Sequence, residues 1–272
     1  MYNAEKPVYI TLNVKRRIKY RIKLRREIGR FTHVIGGGRV TDLKDNVNPT
    51  GKWEFDDEVA RCFDDMLERS IPDYENMRRL VYAVGRHFAE KGNAIMDIGC
   101  SNGNAALPFV KSFPNDFILC DVSESFLDLC RMGFKDYPNV DIRNHDLRNG
   151  VPDVRCSLIL SILTVQFTPI EYRHKIIQSV YDHLEHGSAF IFVEKLLGST
   201  FDIDSILVDE YYDMKREHRY TNEQIQSKRK SLEGVLVPVT EKWNLEMLER
   251  AGFEKVECFW RYLNFAGWVA IK

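Results

Sequence analysis

Short apolar runs alternate with amphipathic stretches from position 94 to 193, and this alternation constrains the chain more than any other feature. Residues 94–98, 117–122, 140–143, 157–163 and 189–193 read as strands. Residues 105–112, 124–132 and 170–184 between them read as helices. A strand that reaches its neighbour through a helix must lie parallel to it. The run 157–163 is apolar throughout, as expected of a strand covered on both faces. Two further strands, 255–260 and 264–271, are separated by a turn too short for a crossover, so they must be antiparallel. The expected fold is α/β and Rossmann-like: a mostly parallel seven-stranded sheet with an antiparallel last strand and helices on both faces.

The flanks read differently. From Trp53 the pattern is helical, with Val59, Phe63, Met66 and Leu67 near one face and Pro72 at the end. A second helix is expected over 75–89, a long charged helical region over 203–233, and a helix over 244–251 that Gly252 stops. Positions 15–30 hold nine basic residues and one acid, Glu27. Ile18, Tyr20, Ile22 and Leu24 alternate there with Lys and Arg. Gly36-Gly37-Gly38 breaks any regular element, and Asn48-Pro49-Thr50-Gly51 reads as a linker turn. Residues 1–50 are therefore expected to be a basic extension, and 51–272 the folded domain. The arm is either a solvated or subunit-pairing segment or a contact for RNA phosphates.

The formal net charge of −1 gives no general argument for nucleic acid or membrane binding. No apolar run is long enough to span a bilayer, and no secretory signal is visible. The six cysteines show no metal-ligand spacing. These features read as a reduced, cytoplasmic protein with no metal site.

The chemistry-bearing residues fall at strand ends. Ile95-Met96-Asp97-Ile98-Gly99-Cys100-Ser101-Asn102-Gly103 is an apolar strand carrying an acid, followed by a glycine turn and a helix. Glycine lets the backbone turn tightly and approach a ligand. The Gly99-x-x-x-Gly103 spacing is not the dinucleotide pattern, which favours a nucleoside over a pyrophosphate. Asp121, followed by Val122, ends the second strand, where a carboxylate can accept from both hydroxyls of a ribose. Asp146-Leu147 follows the third strand, placed to meet an adenine edge. Each feature alone also fits an ordinary βα turn or a solvated loop acid; together they mark a nucleoside site.

This constellation resembles the class I S-adenosylmethionine (SAM)-dependent methyltransferases. The resemblance implies that Asp97 and Gly99 lie by the methionine part, Asp121 holds the ribose, and Asp146-Leu147 frames the adenine. The residues Trp53-Glu54-Phe55-Asp56, Val59-Ala60, Phe63, Asp65-Met66, Arg69-Ser70, Pro72 and Tyr74 look like the entry segment of the carboxy-S-adenosylmethionine synthases. Gln166-Phe167, Glu194-Lys195, Tyr220, Lys228-Arg229, Leu232-Glu233, Ala251-Gly252-Phe253 and Asn264-Phe265 continue the likeness to the C-terminus. It implies SAM or carboxy-SAM as ligand, prephenate as carboxyl donor, a role in tRNA wobble-uridine modification, and a homodimer. It also implies ligand contacts from Cys100, Ser101 and Val122, with Tyr74 touching the ligand and Arg229 binding a carboxylate. One position departs: where the family has a ligand-contacting asparagine, Ile162 stands here. Two other readings stay open, an ordinary SAM-dependent methyltransferase acting on RNA or a small molecule, and a non-catalytic SAM-binding partner protein.

Overall fold

Cys62 divides what the sequence presents as one helix before Pro72. A computed structural model of the chain describes residues 43–272, which belong to one compact unit; the basic stretch 15–30 lies outside them. Helices α1 (Asp57–Arg61) and α2 (Phe63–Ser70) meet where the Cys62 N–H donates to Val59 O. The Asp56 carboxylate caps α1 by accepting from Val59 N–H at 3.0 Å. Helix α3 (Tyr74–Ala89) follows and buries Met77, Val81, Gly85 and Ala89 along one side.

The core then alternates: β1 (Ala94–Ile98), α4 (Leu107–Val110), β2 (Phe117–Asp121), α5 (Glu124–Gly133), β3 (Val140–Asn144), β4 (Cys156–Ile162), α6 (Ile170–His183) and β5 (Leu184–Leu197). Next come α7 (Phe201–Glu217), α8 (Asn222–Leu232), β6 (Val239–Thr240), α9 (Glu241–Ala251), β7 (Lys255–Tyr262) and β8 (Phe265–Ile271). The strand order is β3-β2-β1-β4-β5-β8-β7, with β6 beside β5. Strands β1 to β5 are mutually parallel, and β8 is antiparallel to both β5 and β7. Among the described residues the sheet has eight strands rather than the expected seven; the two residues of β6 carry no legible alternation.

Several bounds differ for physical reasons. Helix α4 is shorter than 105–112, because Ser101 and Gly103 hold left-handed backbone conformations (φ 48 and φ 76) and delay its start. The 203–233 region splits in two. Arg219 turns left-handed at φ 67, and Thr221 and Gln224 then cap α8 reciprocally. Strand β5 begins at Leu184, ahead of Gly187, which takes φ 74 and donates its N–H to Lys272 O.

Side chains of successive strand residues point to opposite faces. Ile95, Leu119, Leu158, Leu160 and Ile191 pack one apolar layer with α3. Met96, Ile118, Ile159, Phe190 and Phe192 pack the other, with Ile176, Ile177 and Val180 of α6. A third cluster joins Val47, Trp53, Phe63 and Met66 to Phe126. The strand order reverses beside β1, so the carboxyl ends of β1 and β4 open a crevice where ligands of such sheets bind.

Candidate active site

A cavity of about 540 Å³ sits over those carboxyl ends. Its floor is built from strand ends in sheet order: Asp121 and Val122 at the end of β2, Asp97 and Gly99 at β1, Ile162 and Leu163 at β4, Lys195 on β5. Its wall comes from Trp53, Phe55, Phe63 and Tyr74 before the sheet. Phe55 packs edge-on against Phe167 at 5.0 Å. The volume lies within the range of small-molecule sites.

Gly99 is required by space and by conformation. It has φ 66, and a Cβ there would stand 2.1 Å from the Thr164 Cγ2. Its N–H and that of Cys100 both donate to Cys120 O, at 2.8 and 3.0 Å. The following Ser101 N–H donates to Asp121 Oδ2 at 2.9 Å. Asp121 also accepts from Val122 and Ser123 N–H at 2.8 and 3.0 Å. The β2 acid therefore ties the glycine turn to the start of α5. A carboxylate has about four lone-pair sites, so room remains for a ribose hydroxyl.

Asp97 is different. It is 1% exposed, and its Oδ2 has no hydrogen-bond partner among the described residues. Burial pushes its carboxyl up to about 7, with Arg78 working the other way. An unpartnered buried carboxyl oxygen beside a glycine cradle is a receptor for a cation or a donor, which SAM supplies as an ammonium and a sulfonium. Arg78 reaches the same cavity, lying 3.4 Å from the Tyr74 hydroxyl and donating to Asn104 O. Burial raises the Tyr74 phenol above its ordinary value, so it enters the cavity as a neutral donor. Cys100 lines the cavity too, its thiol held well above its usual range by its Cys130 hydrogen bond and by burial.

Asp146 caps the turn after β3 and accepts from Arg148 N–H at 2.9 Å. The Arg148 guanidinium beside it holds its carboxyl below the usual range. Leu147 is buried and Val122 exposed. Ten of the eleven expected residues thus line one cavity: Tyr74, Asp97, Gly99, Cys100, Ser101, Asp121, Val122, Asp146, Leu147 and Ile162. Arg229 does not. It stands exposed on α8, and Lys228 beside it turns inward.

Sequence reasoning gave the inward cations no role, although Lys195 and Lys228 stand among the residues of the family likeness. Lys195, Lys215 and Lys228 all line the cavity. Lys228 pairs with Asp45, which is fully buried and also accepts from the Tyr220 hydroxyl. Lys215 lies on a helix that reads as solvated, so only tertiary packing reveals it.

These features can be set beside known proteins. Residues 95–187 match the family described as Methyltransferase domain. An O-methyltransferase family protein from Burkholderia thailandensis superposes with TM-score 0.58 at 12% identity, covering 94% of this chain and 70% of that one. The CurJ carbon methyltransferase gives 0.55 at 13%, covering 96% and 71%. At such identities these likenesses concern the fold, which is that of the class I methyltransferases. Fold, site and family match together define the class: a SAM-utilising enzyme. Sequence relatives narrow it. The carboxy-S-adenosyl-L-methionine synthase of Methylococcus capsulatus is 38% identical over 80% of this chain and 93% of its own length. Those of Nautilia profundicola and Escherichia coli are 35% and 30% identical, over 81% and 82% of this chain and 95% and 92% of theirs. The chain belongs to the carboxy-S-adenosyl-L-methionine synthase family.

Proposed function

We propose that this chain makes carboxy-SAM from SAM and prephenate. Prephenate loses carbon dioxide and expels its ring hydroxyl as hydroxide, leaving phenylpyruvate; the hydroxide takes a proton from the SAM methyl, giving water and an ylide whose carbon bonds to the carbon dioxide. The observation that carries this reading is one cavity in which Asp97, its buried Oδ2 unpartnered among the described residues, and the carboxylate of Asp121 suit a sulfonium nucleoside, while the lining as a whole holds more cations than acids, as a carboxylated donor needs. In this placement Asp121 holds the ribose, Asp146 and Leu147 frame the adenine, and Tyr74 orients the ligand by donating its hydroxyl. Arg229 has no part in this placement within one chain.

In this reading the product serves tRNA wobble-uridine modification in the cytoplasm, and the protein acts as a homodimer. RNA contact through residues 15–30 belongs to the same reading. Incubation with SAM and prephenate, followed by mass measurement of the nucleoside product, tests the reaction. The expected product carries one added carboxyl group. Methyl transfer to an acceptor without a carboxylated product would overturn the reading in favour of an ordinary methyltransferase. Ile162 favours that second reading, because an apolar side chain at the cavity floor cannot make the hydrogen bond the family's asparagine makes.

A further inference from the structure

The cavity holds more positive charge than its own acids neutralise. Lys215, on α7, is 6% exposed, and Lys195, on β5, is half-buried. Both ammonium groups lie over the ring of Tyr211, at 5.4 and 4.2 Å from its centroid. Lys215 is also 5.0 Å from the Tyr220 ring, and Lys195 is 5.7 Å from that of Phe265. Among the described residues neither makes a hydrogen bond or ion pair through its ammonium group. The nearby buried acid, Asp45, is already engaged by Lys228 and Tyr220. Trp53 also lines the cavity, and its buried indole N–H has no acceptor among the described residues.

Aromatic faces attract ammonium groups but only partly replace the water lost on burial. A buried and a half-buried cation without carboxylates are costly, and such an arrangement persists where something binds it. We propose that Lys195 and Lys215 form an anion seat that takes the two carboxylates of the second substrate, a dicarboxylate. This rests on the carboxylation reading and supplies the donor subsite that reading lacks.

Position agrees with the role. Lys195 is on β5, two strand spacings from Asp97 on β1, so roughly 10 Å separate the two strands across the sheet. An anion on the lysines therefore lies beside a nucleoside on β1 and β2 and does not overlap it. Charge agrees as well. SAM carries a net positive charge, which the two lysines repel and a bound dicarboxylate screens. The two substrates should therefore bind cooperatively.

Protonation supplies a further handle. Burial brings Lys215 down to about 7, helped by Lys195, Lys228 and Arg69 and opposed by Asp45. Burial brings Lys195 to about 8, opposed by Asp204. The rings of Tyr211 and Tyr220 complete the surroundings of Lys215. Dicarboxylate affinity should therefore fall as pH rises from 6.5 to 8.5, because the free lysines lose charge over that window.

The test is calorimetric titration of prephenate into the protein saturated with S-adenosylhomocysteine, which has no methyl group to react. Lys215→Gln and Lys195→Gln are each expected to weaken prephenate binding at least tenfold, while S-adenosylhomocysteine affinity stays within twofold. Lys195→Arg is expected to retain most of the affinity, and phenylpyruvate, with one carboxylate, to bind the wild type more weakly than prephenate. Prephenate affinity within twofold of wild type in both glutamine variants would overturn the seat. So would wild-type binding that stays constant across the pH window. If Lys215→Gln does not fold, the Lys195 pair and the pH profile decide alone. A separate turnover assay with SAM keeps the two ideas distinct. Lysine-dependent prephenate binding without carboxylated product retains the seat and removes the carboxylation reading. Full carboxylation by both glutamine variants retains the reading and removes the seat.

Discussion

Asp97 carries a proton at a pH where most carboxyls have lost theirs. Its folded-state value is raised to about 7 by burial. Folded protein therefore binds that proton more tightly than unfolded protein does, and the resulting contribution to stability is lost as pH rises toward 7. Ligand binding has the opposite slope, because a cationic sulfonium nucleoside selects the ionised carboxylate. SAM affinity is expected to rise about tenfold from pH 6 to pH 8, and equilibrium titration in Asp97→Asn should give a flatter profile with affinity reduced by roughly 10- to 100-fold. Asp121→Ala removes the ribose acceptor and frees three backbone N–H groups at once. Calorimetry on that variant should detect no saturable SAM binding; unchanged affinity would refute the site. Both acids were legible in the sequence because a polar residue at the end of an apolar strand has few other places to be. Lys215 was not. Its neighbours Asp213, Arg216 and Glu217 spell a solvated helix, and which face turns inward depends on packing that no local spacing encodes.

Elements were legible where hydrophobic period alone decides them, and less so where turns do. Strands β1, β2 and β4 fall close to their expected bounds, because their apolar runs are buried on both faces, whereas β3 lies at the sheet edge with no fully buried residue. The charged region before β6 shows the opposite case. Its Thr221-x-x-Gln224 pair is a capping signature, yet continuous polar periodicity concealed the break it marks. That break orients α8 so that Ile225, Lys228 and Ser231 turn inward. Thr221→Ala should lower stability by about 1 kcal/mol in urea unfolding, because α8 loses its reciprocal cap. Arg173 of α6 plays a comparable part behind the cavity. It is 1% exposed, and it donates to Gln166 O and Thr168 O at 3.0 to 3.1 Å, holding the segment that follows β4. Arg173→Met should destabilise the fold by roughly 1–3 kcal/mol, because it strands Thr168 O while Val237 N–H still meets Gln166 O, measured in the same way.

At the scale of the whole molecule, the sheet was predictable and the long-range pairing beside the cavity was not. The alternating pattern implies the parallel core and the antiparallel close, as observed. Nothing local, by contrast, brings Asp45 to Lys228. The pair joins residues 183 positions apart, and Asp45 N–H is held in turn by Asp65 at 2.7 Å. Removing one partner leaves a buried charge alone, so Asp45→Ala should cost about 3–5 kcal/mol. Replacing both, as Asp45→Leu with Lys228→Met, should cost much less than the two single changes combined. A double-mutant cycle in urea measures the difference.

That pair also bears on the order in which the molecule comes apart. Closing a loop of this length costs roughly 5 kcal/mol in chain entropy, a cost recovered only when the rest of the sheet already holds the ends near each other. Under mild denaturant the segment around Asp45 is therefore the natural place for fraying to begin. With it go one side of the chamber and the counter-charge of Lys228, while β1 to β5 are still intact. Grip on small molecules should fade at lower urea than secondary structure does, so the protein would lose its occupant before it loses its shape.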